Sequence, residues 1–195
     1  MGTPVVTRRR LAVAAVVALS IGLHLWKLGE RPLAHDEAID AWFSWQAIHG
    51  VVVSYDPVYH GPLRFYLEGA AMRVFGISAG DARLLAATAG VATTALIAAS
   101  WRTLGRFGSV VAALIATISP TVLTVTRTGR EDSLIGLISV ALLLLAAAMM
   151  TRPHPWHPAA LGTLLAASFA VKETTFLFGA VAAVFVVPAL VAAFT

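Results

Sequence analysis

The sequence predicts an all-α integral membrane protein, a bundle of about six transmembrane helices with two interfacial helices in the first outer loop. Three observations carry that expectation. The chain is 58% hydrophobic with only 12% charged residues, and its mean hydropathy of +0.82 is too high for a soluble domain of this length. Its apolar residues gather into runs near the roughly 20 residues needed to cross hydrocarbon. The ten acids all fall in one set of alternating loops, and the other set carries arginines and no acid.

Leu11 to Leu28 is the first run. It follows Arg8, Arg9 and Arg10, and it continues into Trp26 with no small-x-small site close behind, so it reads as an uncleaved anchor rather than a signal peptide. Its basic flank puts the N-terminus in the cytoplasm. Further spans are expected at Ala82 to Trp101, Phe107 to Val125, Leu134 to Met150, Ala159 to Val171 and Thr174 to Phe194. The fifth is short.

Pro62 to Gly76 is ambiguous by hydropathy alone. Leu63, Leu67, Ala70 and Val74 form one helical stripe, with Arg64 and Glu68 one turn apart on its flank. Counting Arg73, three charges would be costly against lipid, so an interfacial helix is the less costly arrangement. A second such helix is expected between Asp36 and His49, where Ala38, Ala41, Trp42, Trp45 and Ile48 share a face suited to the headgroup boundary. Both lie in an outer loop running from Gly29 to Gly80.

This assignment places Arg102, Arg106 and Arg152 inside and all ten acids outside. A soluble nucleic-acid binder is excluded as a class, because the basic residues are scattered singly between apolar runs and form no stripe. With no cysteine in the chain, thiolate and disulfide chemistry are also excluded.

Four polar clusters then emerge on one face. His35, Asp36 and Glu37 open the first surface helix, where a helix dipole alone would favour acids; an acid at that boundary can equally act as a general base or hold a divalent cation. Tyr59-His60-Gly61-Pro62-Leu63 opens the second, and a loop-to-helix junction accounts for Gly61 and Pro62 but not for His60 or Arg64. Arg127, Arg130, Glu131 and Asp132 crowd a short loop that also reads as solvated charge. Lys172 and Glu173 are squeezed between apolar segments, which points to a functional cavity. Cations such as Arg130 and Lys172 suit a phosphate, and carboxylates suit a hydroxyl proton or a metal.

With these motifs in hand, the chain resembles the GT-C glycosyltransferase superfamily, near the protein O-mannosyltransferases and lipid A aminoarabinose transferases and nearest to the flippase-associated branch. The likeness rests on His35-Asp36-Glu37, Tyr55-Asp56-Pro57 through Leu63, Arg130-Glu131-Asp132-Ser133 and Lys172-Glu173-Thr174-Thr175-Phe176. It implies that Asp36 and Glu37 are catalytic, and that His60, Arg64, Arg130, Asp132, Lys172 and Glu173 bind substrate or phosphate. It further implies a polyprenyl-phosphate-linked sugar donor, transfer on the extracytoplasmic face of the plasma membrane, and a protein, lipid or glycan acceptor. Metal use varies across the superfamily; a divalent cation on Asp36 and Asp132 is the candidate cofactor. The mannosyltransferases carry His-Pro-Pro-Leu where this chain has His60-Gly61-Pro62-Leu63. Members are longer, so residues 1–195 are expected to form a single membrane domain at the N-terminal part of a longer module.

Two competing readings use the same residues differently. A non-catalytic accessory to lipid-linked sugar translocation would keep the cations without needing Asp36 and Glu37 for turnover. A transporter or channel would place ionisable groups at mid-helix depth, whereas these charges cluster at span ends.

Overall fold

A computed structural model of the chain describes residues 4–177 together with 179, 180 and 184. Every regular element among the described residues is a helix: α1 (Pro4–Leu25), α2 (His35–Ile48), α3 (Leu63–Phe75), α4 (Ala79–Ala99), α5 (Trp101–Leu104), α6 (Arg106–Ile118), α7 (Pro120–Thr126), α8 (Asp132–Thr151) and α9 (His157–Val171). The all-helical expectation holds. The expected span from Thr174 to Phe194 falls largely outside the described residues.

Helix α4 is the centre of the bundle, packing on α1, α3, α6 and α8. Small residues let it do so. A Cβ on Gly90 would come within 2.5 Å of His24 Nε2 and 2.7 Å of Thr126 Cβ, so α1, α4 and α7 converge where only glycine fits. Nearby, Ser20 donates to Thr94 (3.2 Å), and Thr94 meets Thr117 at the same distance. Interhelical hydroxyl bonds and small-residue packing are how helices associate when lipid removes the hydrophobic drive between them.

Two helices, α4 and α8, are long and apolar enough to cross a membrane. Helices α6 and α7 meet that test as a pair, bent by 66° at their junction. Pro120 explains the break. It has no N–H to donate and disfavours helical backbone at Ser119, which is extended (φ −62°, ψ 120°) and caps α7 through its hydroxyl. The remaining expected spans are weaker by composition: each 18-residue window of α1 includes Arg8 to Arg10, and α9 has 15 residues.

Helices α2 and α3 form where the sequence places surface helices, but α3 presents a different face. Arg64, Phe65, Glu68, Gly69 and Met72 are buried, whereas Leu67 and Val74 are exposed. The charged flank therefore turns inward and the apolar stripe outward, because Arg64 and Glu68 find partners on α2 and the loop before α8. Gly69 permits the crossing, since a Cβ there would lie 2.6 Å from Ser44 O. On α2, the stacked Trp42 and Trp45 rings (4.9 Å) lie opposite the buried Glu37, Asp40 and Ser44.

Candidate functional site

The polar clusters converge at the end of the bundle where α1 stops and α4 and α8 begin. Glu37 anchors the assembly. Its two oxygens receive Arg83 Nε and Nη2 at 2.8 Å each, the Ala34 amide at 2.8 Å and the Gly129 amide at 2.9 Å. Burial opposes the charged form, but the bonds from Arg83, Ala34 and Gly129 together outweigh it and hold the carboxyl at about 2. Arg83 is equally saturated, spending its remaining donors on the carbonyls of Leu28, Arg31 and Pro32. This clamp ties the strand of chain after α1 to α2, α4 and the loop before α8.

Beside it lies Glu131, 2% exposed. Lys172 Nζ (2.8 Å) and Arg64 Nη1 (2.9 Å) bond its two oxygens, with Arg130 Nη2 at 3.4 Å and His60 Nε2 at 3.5 Å. Burial again works against ionisation; the Lys172 bond, its own amide and the charges of Lys172 and Arg64 prevail, leaving the carboxyl at about 2. Lys172 also reaches Asp132 at 2.9 Å. The two carboxylates raise its pKa against a burial penalty, so the ammonium stays charged. Arg130 pairs with Asp36 and lies 3.7 Å from Asp132.

Arg64 is 3% exposed and buried behind this layer, joined to Asp40 (2.8 Å), the Gly129 carbonyl (3.0 Å) and Glu68 (3.4 Å). Glu68 is the weakly held member. Burial drives its pKa up to about 7 despite Arg64, and its Oε1 has no partner among the described residues. A carboxyl whose folded pKa is raised stabilises the fold below its ordinary value near 4.5, and that contribution is lost as pH rises through about 7. Thermal midpoints of the purified protein are therefore expected to fall as pH rises from 4.5 to about 7 and to level off above that, an effect of at most a few kcal/mol. Glu68→Gln should flatten that slope; equal slopes in both proteins would refute the assignment.

The approach to α3 is shaped by His60 and Gly61. His60 has φ +68°, an αL backbone that histidine tolerates better than most residues. Its Nδ1 lies 2.9 Å from Glu173, linking Glu173 to Glu131 through one ring. Gly61 donates to the Val171 carbonyl (3.1 Å), and a Cβ there would sit 2.1 Å from Ala170 O. Proline would both clash and lose that bond, which explains the local His-Gly-Pro-Leu in place of His-Pro-Pro-Leu.

Asp36, Asp40, Tyr59, His60, Arg130 and Glu131 line a cavity of about 270 Å³. Of the expected site residues, Asp36 is well exposed (63%) and held by Arg130 alone, and Asp132 (45%), Glu173 and Arg130 are partly accessible. Glu37 and Arg64 are buried and fully engaged. The expectation of a metal on Asp36 and Asp132 meets an obstacle: Arg130 stands between them, and an ion would have to displace that cation. Among the described residues no three His, Asp or Glu side chains form a metal-holding group. Sequence reasoning passed over Arg83 and the central role of Glu131. Arg83 had a signal, as a charge inside an expected span.

A family model described as dolichyl-phosphate-mannose-protein mannosyltransferase matches residues 59–193, well over half the chain. No curated protein and no solved structure matches. The matched stretch includes His60, Arg64, Arg83, Arg130, Glu131, Asp132 and Lys172, while Asp36 and Glu37 precede it and are bound to it by Arg83, Gly129 and Arg130. The four motifs that suggested a glycosyltransferase thus meet in one connected ion-pair network, most of it within the matched stretch, and the chain belongs to the dolichyl-phosphate-mannose-protein mannosyltransferase family of membrane glycosyltransferases.

Proposed function

We propose that this chain carries the reaction centre for transferring a sugar from a polyprenyl-phosphate donor to an acceptor on the extracytoplasmic face of the plasma membrane. The observation that supports it most is the pairing of an exposed carboxylate, Asp36, with a cation, Arg130, on the rim of one cavity. In this reading Asp36 takes the proton of the acceptor hydroxyl as its oxygen attacks the anomeric carbon. The bond from that carbon to the phosphate oxygen breaks, and Arg130 and Lys172 stabilise the departing lipid phosphate. Glu131 positions both cations, and the Glu37–Arg83 clamp positions Asp36.

The membrane arrangement belongs to the same proposal: a single multi-pass domain with six spans, its arginine-flanked N-terminus cytoplasmic, and α2 and α3 in the outer interface. Supporting it, Arg9, Arg102 and Arg106 surround Trp101 at the opposite end of α4 from Arg83, as the rule for basic cytoplasmic loops requires. Asp56→Cys and Leu104→Cys, each in this cysteine-free chain, should react with an impermeant thiol reagent from opposite sides; reaction from the same side refutes the orientation.

Donor engagement is tested by photoaffinity binding of a polyprenyl-phosphate-mannose probe to membranes carrying the full reading frame. Lys172→Ala should weaken binding about 10- to 100-fold, the equivalent of one charge-assisted hydrogen bond, and Lys172→Arg should retain most of it. Unchanged binding in Lys172→Ala would remove Lys172 from the donor site.

A further inference from the structure

The end of the bundle away from the reaction centre has an unbalanced charge. All ten acids lie between Glu30 and Glu173, and those in ion pairs are bonded at the reaction-centre end. At the other end are Arg8, Arg9, Arg10, Arg102, Arg106 and Arg152, none in an ion pair among the described residues. Three of these guanidinium groups crowd a single ring, 5.3 to 5.9 Å from the centre of Trp101. Arg9 Nε is buried without a partner. Clustered cations of this kind call for an anion that none of the described residues supplies.

A cavity of about 560 Å³ opens at the same end, between α4, α8 and α9. Leu96, Leu145, Ala148 and Leu164 give it an apolar lining, and Arg102 on α5 and Arg152 at the end of α8 border it. The aromatic group of His154, Trp156 and His157 closes one side, with Trp156 54% exposed and packed edge-on to His157. An apolar slot capped by two arginines and an amphipathic indole matches an anionic lipid in each part: acyl chain, charged headgroup and the boundary between them.

We infer that this groove is a binding site for one anionic glycerophospholipid, with its phosphodiester on Arg102 and Arg152 and an acyl chain along α8 and α9. It is separate from the donor cavity, which lies at the opposite end of α4. Arg9 and Arg106, the other two cations around Trp101, add a field that draws anionic headgroups toward the groove without contacting the lipid directly.

The experiment uses the full chain in detergent micelles, with retained lipid counted by intact-complex mass spectrometry after incubation with phosphatidylglycerol or phosphatidylcholine. Phosphatidylglycerol should remain bound at one copy and phosphatidylcholine should not. The double substitution Arg102→Gln and Arg152→Gln should reduce retention by about tenfold or more, the effect of two interfacial basic contacts. Arg8→Gln with Arg10→Gln, which removes the same charge outside the groove, should leave it intact. Should the first pair fail to fold, Ala148→Trp fills the slot while keeping both arginines and should also expel the lipid. Equal retention of the two lipids, equal loss in the Arg8 and Arg10 variant, or full retention in Ala148→Trp would each overturn the site.

Discussion

Replacing Asp36 by Asn is expected to lower sugar transfer by about 10²- to 10⁴-fold, the usual contribution of a positioned general base, while donor binding changes little. The substitution keeps the side chain's shape and its ability to accept from Arg130, but an amide cannot take the acceptor proton. Asp36 is the appropriate position to test because it has capacity to spare. One guanidinium holds it and 63% of its side chain is exposed, whereas Glu37 next to it spends both oxygens on four donors. The assay is release of labelled sugar from polyprenyl-phosphate donor by membranes carrying the full reading frame, with probe binding measured in parallel. Loss of both quantities together would make Asp36 a donor ligand, and unchanged transfer would remove it from the mechanism.

Arg83→Ala should produce the largest loss of stability of any single substitution in the chain. It leaves the Glu37 carboxylate buried at 2% exposure without its main counter-charge and frees three backbone carbonyls. Breaking a buried pair from one side costs about 3–5 kcal/mol, seen as a lower thermal midpoint in detergent or as loss of folded protein. Combining Arg83→Met with Glu37→Leu removes both charges and should restore part of that loss. A double variant as unstable as the sum of its singles would show that the two residues do not act as a pair.

These two residues also mark how far the sequence could be read. Hydropathy located the helices, because runs such as Leu134 to Met150 have no other stable arrangement in a chain this apolar. Charge segregation then brought Asp36, Arg130, Asp132 and Lys172 to one end. Hidden from that reasoning was the direction of each charged side chain. On α3, apolar and charged stripes compete for the interior, and the charged stripe wins only because Asp40, Gly129 and Glu131 supply partners more than 20 residues away in sequence. Glu131 looked like one of several loop charges, since nothing local shows that His60, Arg64 and Lys172 all arrive at its carboxylate. Arg83 was overlooked for the opposite reason, lying inside a stretch already assigned to the membrane. The break at Ser119-Pro120 was present in the sequence as a proline within an apolar run.

The central position of Glu131 has a consequence for biogenesis. Its partner Arg64 precedes it in the chain, but Lys172 follows by 41 residues. At about 5–20 residues per second, a ribosome delivers that lysine roughly 2 to 8 s after the glutamate. In the proposed orientation the acid has by then crossed with α8 while holding only part of its counter-charge. The ion-pair network is thus completed only when Lys172 and Glu173 emerge behind α9, and in the proposed orientation a nascent chain arrested between α8 and α9 would expose a half-neutralised carboxylate to the quality-control machinery of the membrane.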